Sequence, residues 1–538
     1  MSKNWRQGEQ YVWASATIVT VTLLMAVVLI AVVLFNGLGY FWPSSLVRVR
    51  LTDGTVLLGE ENRREEGVAG GAGNLQLKVG NRDLYGQDFR WVKGGEIATR
   101  ETPTGVVRLE REEHGNFFGT LESLALPGLP GAHGESDSLW ERFRRALEEV
   151  RAQKETLDEA REALGDLGGE MESLQQELRA LAYGSGGAAS VADSPAVRAL
   201  VARRAALQAR FEKENTALAE SVAGLNANTA RFRDAGGKEK DIPLAVIVRA
   251  VRPNDMSLLA KIGFYISKIG ELLFDEPRES NTEGGLFPAI FGTVMMVVLM
   301  SMFSLPLGVV AAIYLREYAK EGFLVRLVRI AVYNLAGVPS IVFGVFGLGF
   351  FIYGVGGAMD QFFFPERLPT PTFGTGGIFW ASLTLALLTV PVVIVSTEEG
   401  LSAIPRGLRE ASQALGATRF QTLVRVVLPM AVPGILTGFI LAMARAAGEV
   451  APLMITGVVK LAPSLPIDGT FPFVHLERKF MHLGFHIYDV GFQSPNVEAA
   501  KPMVYITTMV LVLLVLCLSL TAIILRNKMR KRFQTSTF

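Results

Sequence analysis

Six stretches of this sequence are too long and too apolar for a soluble fold, and they constrain everything else about it. An apolar run of roughly 18 or more residues with few charges crosses a bilayer as a helix rising about 1.5 Å per residue. Such runs are Val12–Phe35, Ala289–Tyr314, Ile330–Val355, Ile378–Ser396, Ala431–Gly457 and Val504–Leu525. Only the fifth contains charges, Arg445 and Glu449. The first follows the basic start Lys3, Arg6 and ends in Gly39-Tyr40-Phe41-Trp42, an aromatic interface belt. It is longer than the core of a cleaved signal peptide and reads as a retained anchor.

Flanking charge orients the runs, because short Lys- and Arg-rich segments stay cytoplasmic. The basic segments are the N-terminus, Arg316–Arg329, Arg406–Arg425 and the tail 526–538. With six alternating helices these fall on one side, so both termini are expected in the cytoplasm. The loop Gly357–Gly376, with Arg367 as its single basic residue, is expected opposite.

Residues 43–285 form a long insert expected on the outer face. Its first part, about 43–124, is read as β-rich: Val47, Val49 and Leu51 alternate with polar residues up to Asp53-Gly54, a hairpin signal. The period then changes. Leu157, Leu164, Leu167, Met171, Leu174, Leu178 and Leu181 follow a heptad seam. After Gly184-Ser185-Gly186-Gly187, a second arm opens on Ser194-Pro195 and runs through Leu200, Leu207, Phe211, Leu218, Val222 and Leu225. The two arms are expected to fold back as an antiparallel helical hairpin over about 138–233. Residues 257–274 place Leu258, Leu259, Ile262, Ile266, Ile269 and Leu273 on one helical face, as in a helix lying flat at a membrane surface or a surface helix of the insert.

Composition excludes several function classes. A net charge of +1 is not that of a nucleic-acid binder. The single cysteine, Cys517, permits no internal disulfide and no cysteine zinc site, and no metal centre is expected from the histidines. No Gly-x-x-x-x-Gly-Lys-Ser/Thr loop occurs, so no nucleotide site of its own is expected and the chain is not read as an enzyme.

Between the fourth and fifth runs stands Glu410-Ala411-Ser412-Gln413-Ala414-Leu415-Gly416, then nine residues, then Val426-Val427-Leu428-Pro429. Small residues at Ala411 and Ser412 let a short helix enter a partner's groove, and Gly416 permits a tight turn. Pro429 is expected to close an extended link and begin the next helix. This pattern resembles the coupling loop of ABC-importer permeases, with Ser412 and Val426 as mild departures. Gly285–Thr293, Asn334–Gly344 and Arg445-Ala446-Ala447-Gly448-Glu449 are similar to the phosphate-specific permeases, and Ala451-Pro452-Leu453-Met454 to their PstA-type subunit. The resemblance covers about 287–525, with coupling loop 398–429 inside a core of 286–525. It does not reach the insert.

The fold class that follows is an all-α polytopic membrane protein, a type I ABC-importer permease-like bundle of six helices, carrying an outer-face α+β insert with a helical hairpin. The resemblance implies a phosphate-import permease of the bacterial inner membrane. Its expected partners are a PstC-like sister permease, a PstB-like ATP-binding dimer that uses the ATP, a PstS-like periplasmic binding protein and the lipid bilayer. Arg445 and Glu449, one helical turn apart, can pair, and ionisable groups at membrane depth face a polar path or each other. Two readings stay open: a structural ion pair locking two helices, or, as the resemblance implies, Arg445 offering its guanidinium to a phosphate oxyanion while Glu449 limits its grip. An importer of another oxyanion, molybdate or sulfate, and a transmembrane sensor are the competing readings.

Overall fold

The computed structural model describes residues 9–65, 73–127, 132–133, 137–184, 194–469, 471 and 473–534. Lys3, Arg6 and Ser185-Gly186-Gly187 lie outside the described residues. The chain divides into two compact units, a helical one from both chain ends and the region after Leu286, and a mixed one from Phe41–Gly285 with Phe364–Thr370.

Six helices of the first unit are long and apolar enough to cross a membrane: Tyr11–Gly39, Phe287–Tyr318, Ser340–Phe363, Ile378–Ser402, Arg419–Gly448 and Val497–Lys531. The fourth is the bundle's centre. Its side chains Ala381, Leu385 and Ala386 are buried against Met296 and Met300 of the second span and Ala446 and Ala447 of the fifth. Small residues set the approach of the fourth and fifth spans, since a Cβ on Gly434 would strike the backbone of Gly400 and one on Gly438 would strike Ser396. In lipid, where apolar surface alone gives no preference for a neighbouring helix, such close contact is a main source of association.

Two runs differ from their sequence reading. The third begins inside an amphipathic helix, Phe323–Leu335, which stops before Pro339; the span proper starts at Ser340. Proline has no N–H to give and biases Val338 away from the helical region, so one apolar run becomes two elements. The fifth run ends at Gly448 rather than Gly457, and Ala451–Thr456 is a separate short helix.

The second unit is built around two sheets with one topology. Strands β1 (Leu46–Leu51), β2 (Val56–Glu65), β3 (Asn74–Lys78), β4 (Phe89–Lys93) and β5 (Ile97–Glu101) lie in the order β4-β3-β2-β1-β5. Next come β6 (Val107–Arg111), β7 (Phe117–Ala125) and the short β8 (Ala132–His133). Then follow β9 (Thr229–Arg233), β10 (Glu239–Pro243) and β11 (Ile247–Val251), and the main path reads β10-β9-β7-β6-β11. The registers repeat as well. Val47 faces Gly59 in the first sheet and Val107 faces Gly119 in the second. Bulges fall at matching places, between Glu61 and Arg63 and between Leu121 and Ser123. A 3-10 turn precedes the fifth strand in both, at Gly94–Glu96 and Leu244–Val246. Gly59 and Gly119 share a role too, because a Cβ at either would collide with the third strand's carbonyl, Lys78 or Arg233.

The insert is thus a tandem pair of five-stranded modules, and the helical hairpin is a long excursion between β7 and β9 of the second. Its arms are Asp137–Gly184 and Pro195–Asn226. The expected helical hairpin over 138–233 therefore ends early: after Asn226 the chain returns to strands that complete the second module, and the β-rich part does not stop near 124. The heptad seam is readable at long range, but three five-residue strands carry too short a period to stand out after it. The first arm's base, Leu139, Phe143, Leu147 and Val150, packs with Phe117, Phe232 and Ile242 in one core. Helix Leu258–Phe274 follows, capped by the Ser257 hydroxyl accepting from the Ala260 N–H.

Candidate functional site

The segment containing Glu410 forms a short helix, Arg406–Ala414, whose residues Glu410 and Ala411 are exposed and Ser412 half-buried. Arg409, which the motif reading passed over, fixes this helix: its guanidinium donates to Glu317 at 2.9 Å and to the carbonyls of Ile404 and Leu401, both at 2.9 Å. Ser412 meets Thr422 at 3.0 Å, tying the helix to the base of the fifth span. Gly416 has φ +86°, and a Cβ there would meet open space. The backbone's left-handed conformation, not crowding, calls for glycine. Leu415 beside it is 91% exposed and Phe420 65% exposed. Two apolar side chains are thus exposed in the segment that follows this helix.

The second half of the motif departs from expectation. No extended link precedes Pro429. Thr418 caps a helix that continues through a π turn, Leu423–Val427, into Leu428–Gly448, so Val426, Leu428 and Pro429 lie within the fifth span. A π turn shifts the bonding pattern by one residue, which suits a proline that has no N–H to donate. The motif thus covers an exposed part, Glu410 to Gly416, and a part built into the bundle.

Arg445 stands in the last turn of Leu428–Gly448, and Glu449, with ψ 134°, is the residue at which that helix stops. Their side chains meet at 3.3 Å, Nε to Oε1, with 35% and 18% exposure. The pair forms across a helix end, not along an uninterrupted face as the spacing predicts. A guanidinium carries five donor hydrogens. Among the described residues Glu449 is the one recorded partner of Arg445, which leaves the terminal NH2 groups available. The flanking Ala446 and Ala447 are fully buried, so the pair stands on a packed base. A broken helix with a cation at its end is an arrangement that membrane proteins tolerate where backbone lines a cavity or is buried in protein.

A third cluster follows the break. His482 and His486, four residues apart, are buried at 0% and 2% exposure. His482 Nδ1 accepts from the Gly484 N–H at 3.1 Å, and His486 Nδ1 meets the Thr507 hydroxyl at 3.2 Å. Both Nε2 atoms are buried without a hydrogen-bond partner. Burial pushes His482 down to about 3, and burial with the nearby Lys460 ammonium pushes His486 down to about 4. Both rings are therefore neutral at pH 7. No group of three or more metal-ligating side chains occurs among the described residues.

A family model described as binding-protein-dependent transport system inner membrane component matches residues 304–531. The chain is similar to the phosphate transport system permease protein PstA of Mycobacterium leprae, at 39% identity over 172 residues, 32% of this chain and 51% of that protein. It is similar to the probable phosphate transport system permease protein PstA of Methanocaldococcus jannaschii, at 33% over 221 residues, 40% and 67% of the two chains. The probable ABC transporter permease protein YqgI of Bacillus subtilis matches at 31% over 224 residues, 40% of this chain and 70% of that one. The chain spans about half the length of the mycobacterial relatives it matches.

Proposed function

Since the chain belongs to the binding-protein-dependent transport system inner membrane components, we propose that it is a membrane-spanning subunit of an ATP-driven importer of inorganic phosphate. The names of its PstA relatives support the substrate. The observation that carries the reading is the Arg445–Glu449 pair, a guanidinium engaged on one edge, with donors to spare, where a membrane helix breaks. A planar fork of donors suits two oxygens of one phosphate. The neighbouring carboxylate lowers the affinity, as release into the cell requires.

In this reading a PstC-like sister permease completes the path and a PstS-like protein delivers the ion. A PstB-like ATPase dimer receives the helix Arg406–Ala414 with the exposed Leu415. The chain itself binds no nucleotide and lies in the bacterial inner membrane, with both termini cytoplasmic and the insert periplasmic.

Phosphate uptake in membranes holding matched amounts of each variant tests the site. Arg445→Lys keeps a cation but loses the fork, so uptake falls at least about tenfold, the size of one lost charge-assisted bond, while assembly with the ATPase persists. Full uptake by the Arg445→Ala, Glu449→Ala double variant would reduce the pair to a structural lock and end the assignment. Uptake of molybdate or sulfate in place of phosphate would redirect the substrate alone.

A further inference from the structure

Helix Leu258–Phe274 has two faces with opposite fates. On one, Phe264 is buried between the guanidinium groups of Arg108 and Arg249, whose centres lie 5.2 and 5.1 Å from its ring. On the same side Lys268 bridges Glu110 at 2.6 Å and Glu271 at 2.9 Å, and Arg249 reaches Glu271 at 3.1 Å. This face is pinned to β6 and β11 of the second module by charges that are themselves largely buried. The other face presents Leu258, Leu259, Ile262, Ile266 and Leu273, with Phe274 closing the helix, all of them exposed. No charged side chain interrupts that stripe.

We propose that this helix is a membrane-surface anchor, its apolar stripe seated in the boundary between lipid headgroups and acyl chains. Three observations select lipid over a protein partner. The stripe is a row of exposed aliphatic groups ending in Phe274, with no charged side chain to give a protein interface its specificity. Tyr265, at the edge of the stripe, packs on Phe41 at 6.3 Å and Trp42 at 6.2 Å, the residues with which the chain leaves its first span, and Trp42 remains 41% exposed. Tyrosine and tryptophan concentrate at the level of lipid headgroups. Finally, the next span begins at Phe287, thirteen residues after Phe274, so the helix is strung between two membrane crossings. A surface helix of this composition binds through buried apolar area. Here its ion-paired side turns that grip into a tether for the β modules.

The test uses the full chain in lipid nanodiscs with Cys517, its one cysteine, changed to serine. Single cysteines at Ile262, Ile266 and Ala260 carry an environment-sensitive fluorophore; Ala260 lies away from the stripe. Lipids brominated along the acyl chain are expected to quench the labels at Ile262 and Ile266 severalfold more than the label at Ala260, and aqueous iodide to do the reverse. A photo-crosslinker at Ile266 in native membranes is expected to capture lipid. Equal iodide quenching at all three positions overturns the proposal, as does capture of a protein chain from Ile266, whether another copy or a partner.

Discussion

At the scale of single residues, Gly416 and the two buried histidines make opposite kinds of demand. Gly416 needs freedom of φ and nothing else, so Gly416→Ala should cost about 1–2 kcal/mol of the docking segment's local order, the penalty for an L-residue in the left-handed region. Gly416→Asn should be milder, since asparagine visits that region more readily, and Gly416→Val harsher. Transport per ATP hydrolysed, at matched assembly, ranks the three; equal coupling by Gly416→Val would remove the segment from the coupling role. The histidines demand neutrality. An imidazole whose folded value lies below its ordinary 6.5 contributes stability that is fully present above pH 6.5. That contribution is lost as pH falls from there toward the folded values, because the unfolded chain takes up the proton first. Each histidine contributes a slope of at most about 1.4 kcal/mol per pH unit. Melting of the full chain should therefore weaken between pH 6.5 and 4, and His482→Gln with His486→Gln should flatten that dependence. Their four-residue spacing is visible in the sequence, yet nothing in the sequence says that both rings are buried. Arg409 escaped notice for a related reason: arginine in a basic loop looks like a topology signal, and its bonds to carbonyls appear only once Leu401 and Ile404 are in place.

At the scale of elements, the hairpin illustrates what periodicity can and cannot supply. Leu164, Leu167 and Leu174 are buried along the seam that their spacing predicts. The same spacing is silent on the change of role along the arm, where the base belongs to the second module's core and the arm beyond it pairs with the second arm. Two variants separate these roles. Phe143→Ala empties a fully buried site among Phe117, Phe232 and Trp140, and should cost about 3–5 kcal/mol. Removing residues 161–212 and closing the arm with a short Gly-Ser turn should leave that module's melting almost unchanged. Thermal unfolding and hydrogen exchange at β7 and β9 provide the comparison; a collapse of both protections in the shortened form would mean that the distal arm supports the core. The second module escaped the sequence reading because its strands are split by the long helical excursion. The repeated strand order and register, with matching glycines at Gly59 and Gly119, reveal it.

At the scale of the whole molecule, run length gave the number of crossings, because length and apolarity act directly on the cost of placing backbone in lipid. The breaks within the third and fifth runs, at Pro339 and at Glu449, were less legible, since hydropathy averages over them. Orientation rests on a different quantity, the placement of Lys and Arg in short loops, and so it can be tested separately. If all six helices cross, both termini are expected on one side and Phe41–Gly285, between the first two spans, on the other. The basic segments Arg316–Arg329 and Arg406–Arg425 predict that the termini's side is the cytoplasm. In a Cys517→Ser background, cysteines at Ser138 and at Ser190, the latter outside the described residues, should react in intact cells with a membrane-impermeant maleimide. A cysteine at Ser412 should react only after the membrane is opened. Ser138 is exposed and Ser412 half-buried, so the opened-membrane control matters: it shows that silence at Ser412 reflects the barrier and not burial. Labelling of Ser412→Cys in intact cells would invert the topology, placing the docking segment beyond the reach of any ATPase and the β modules in the cytoplasm.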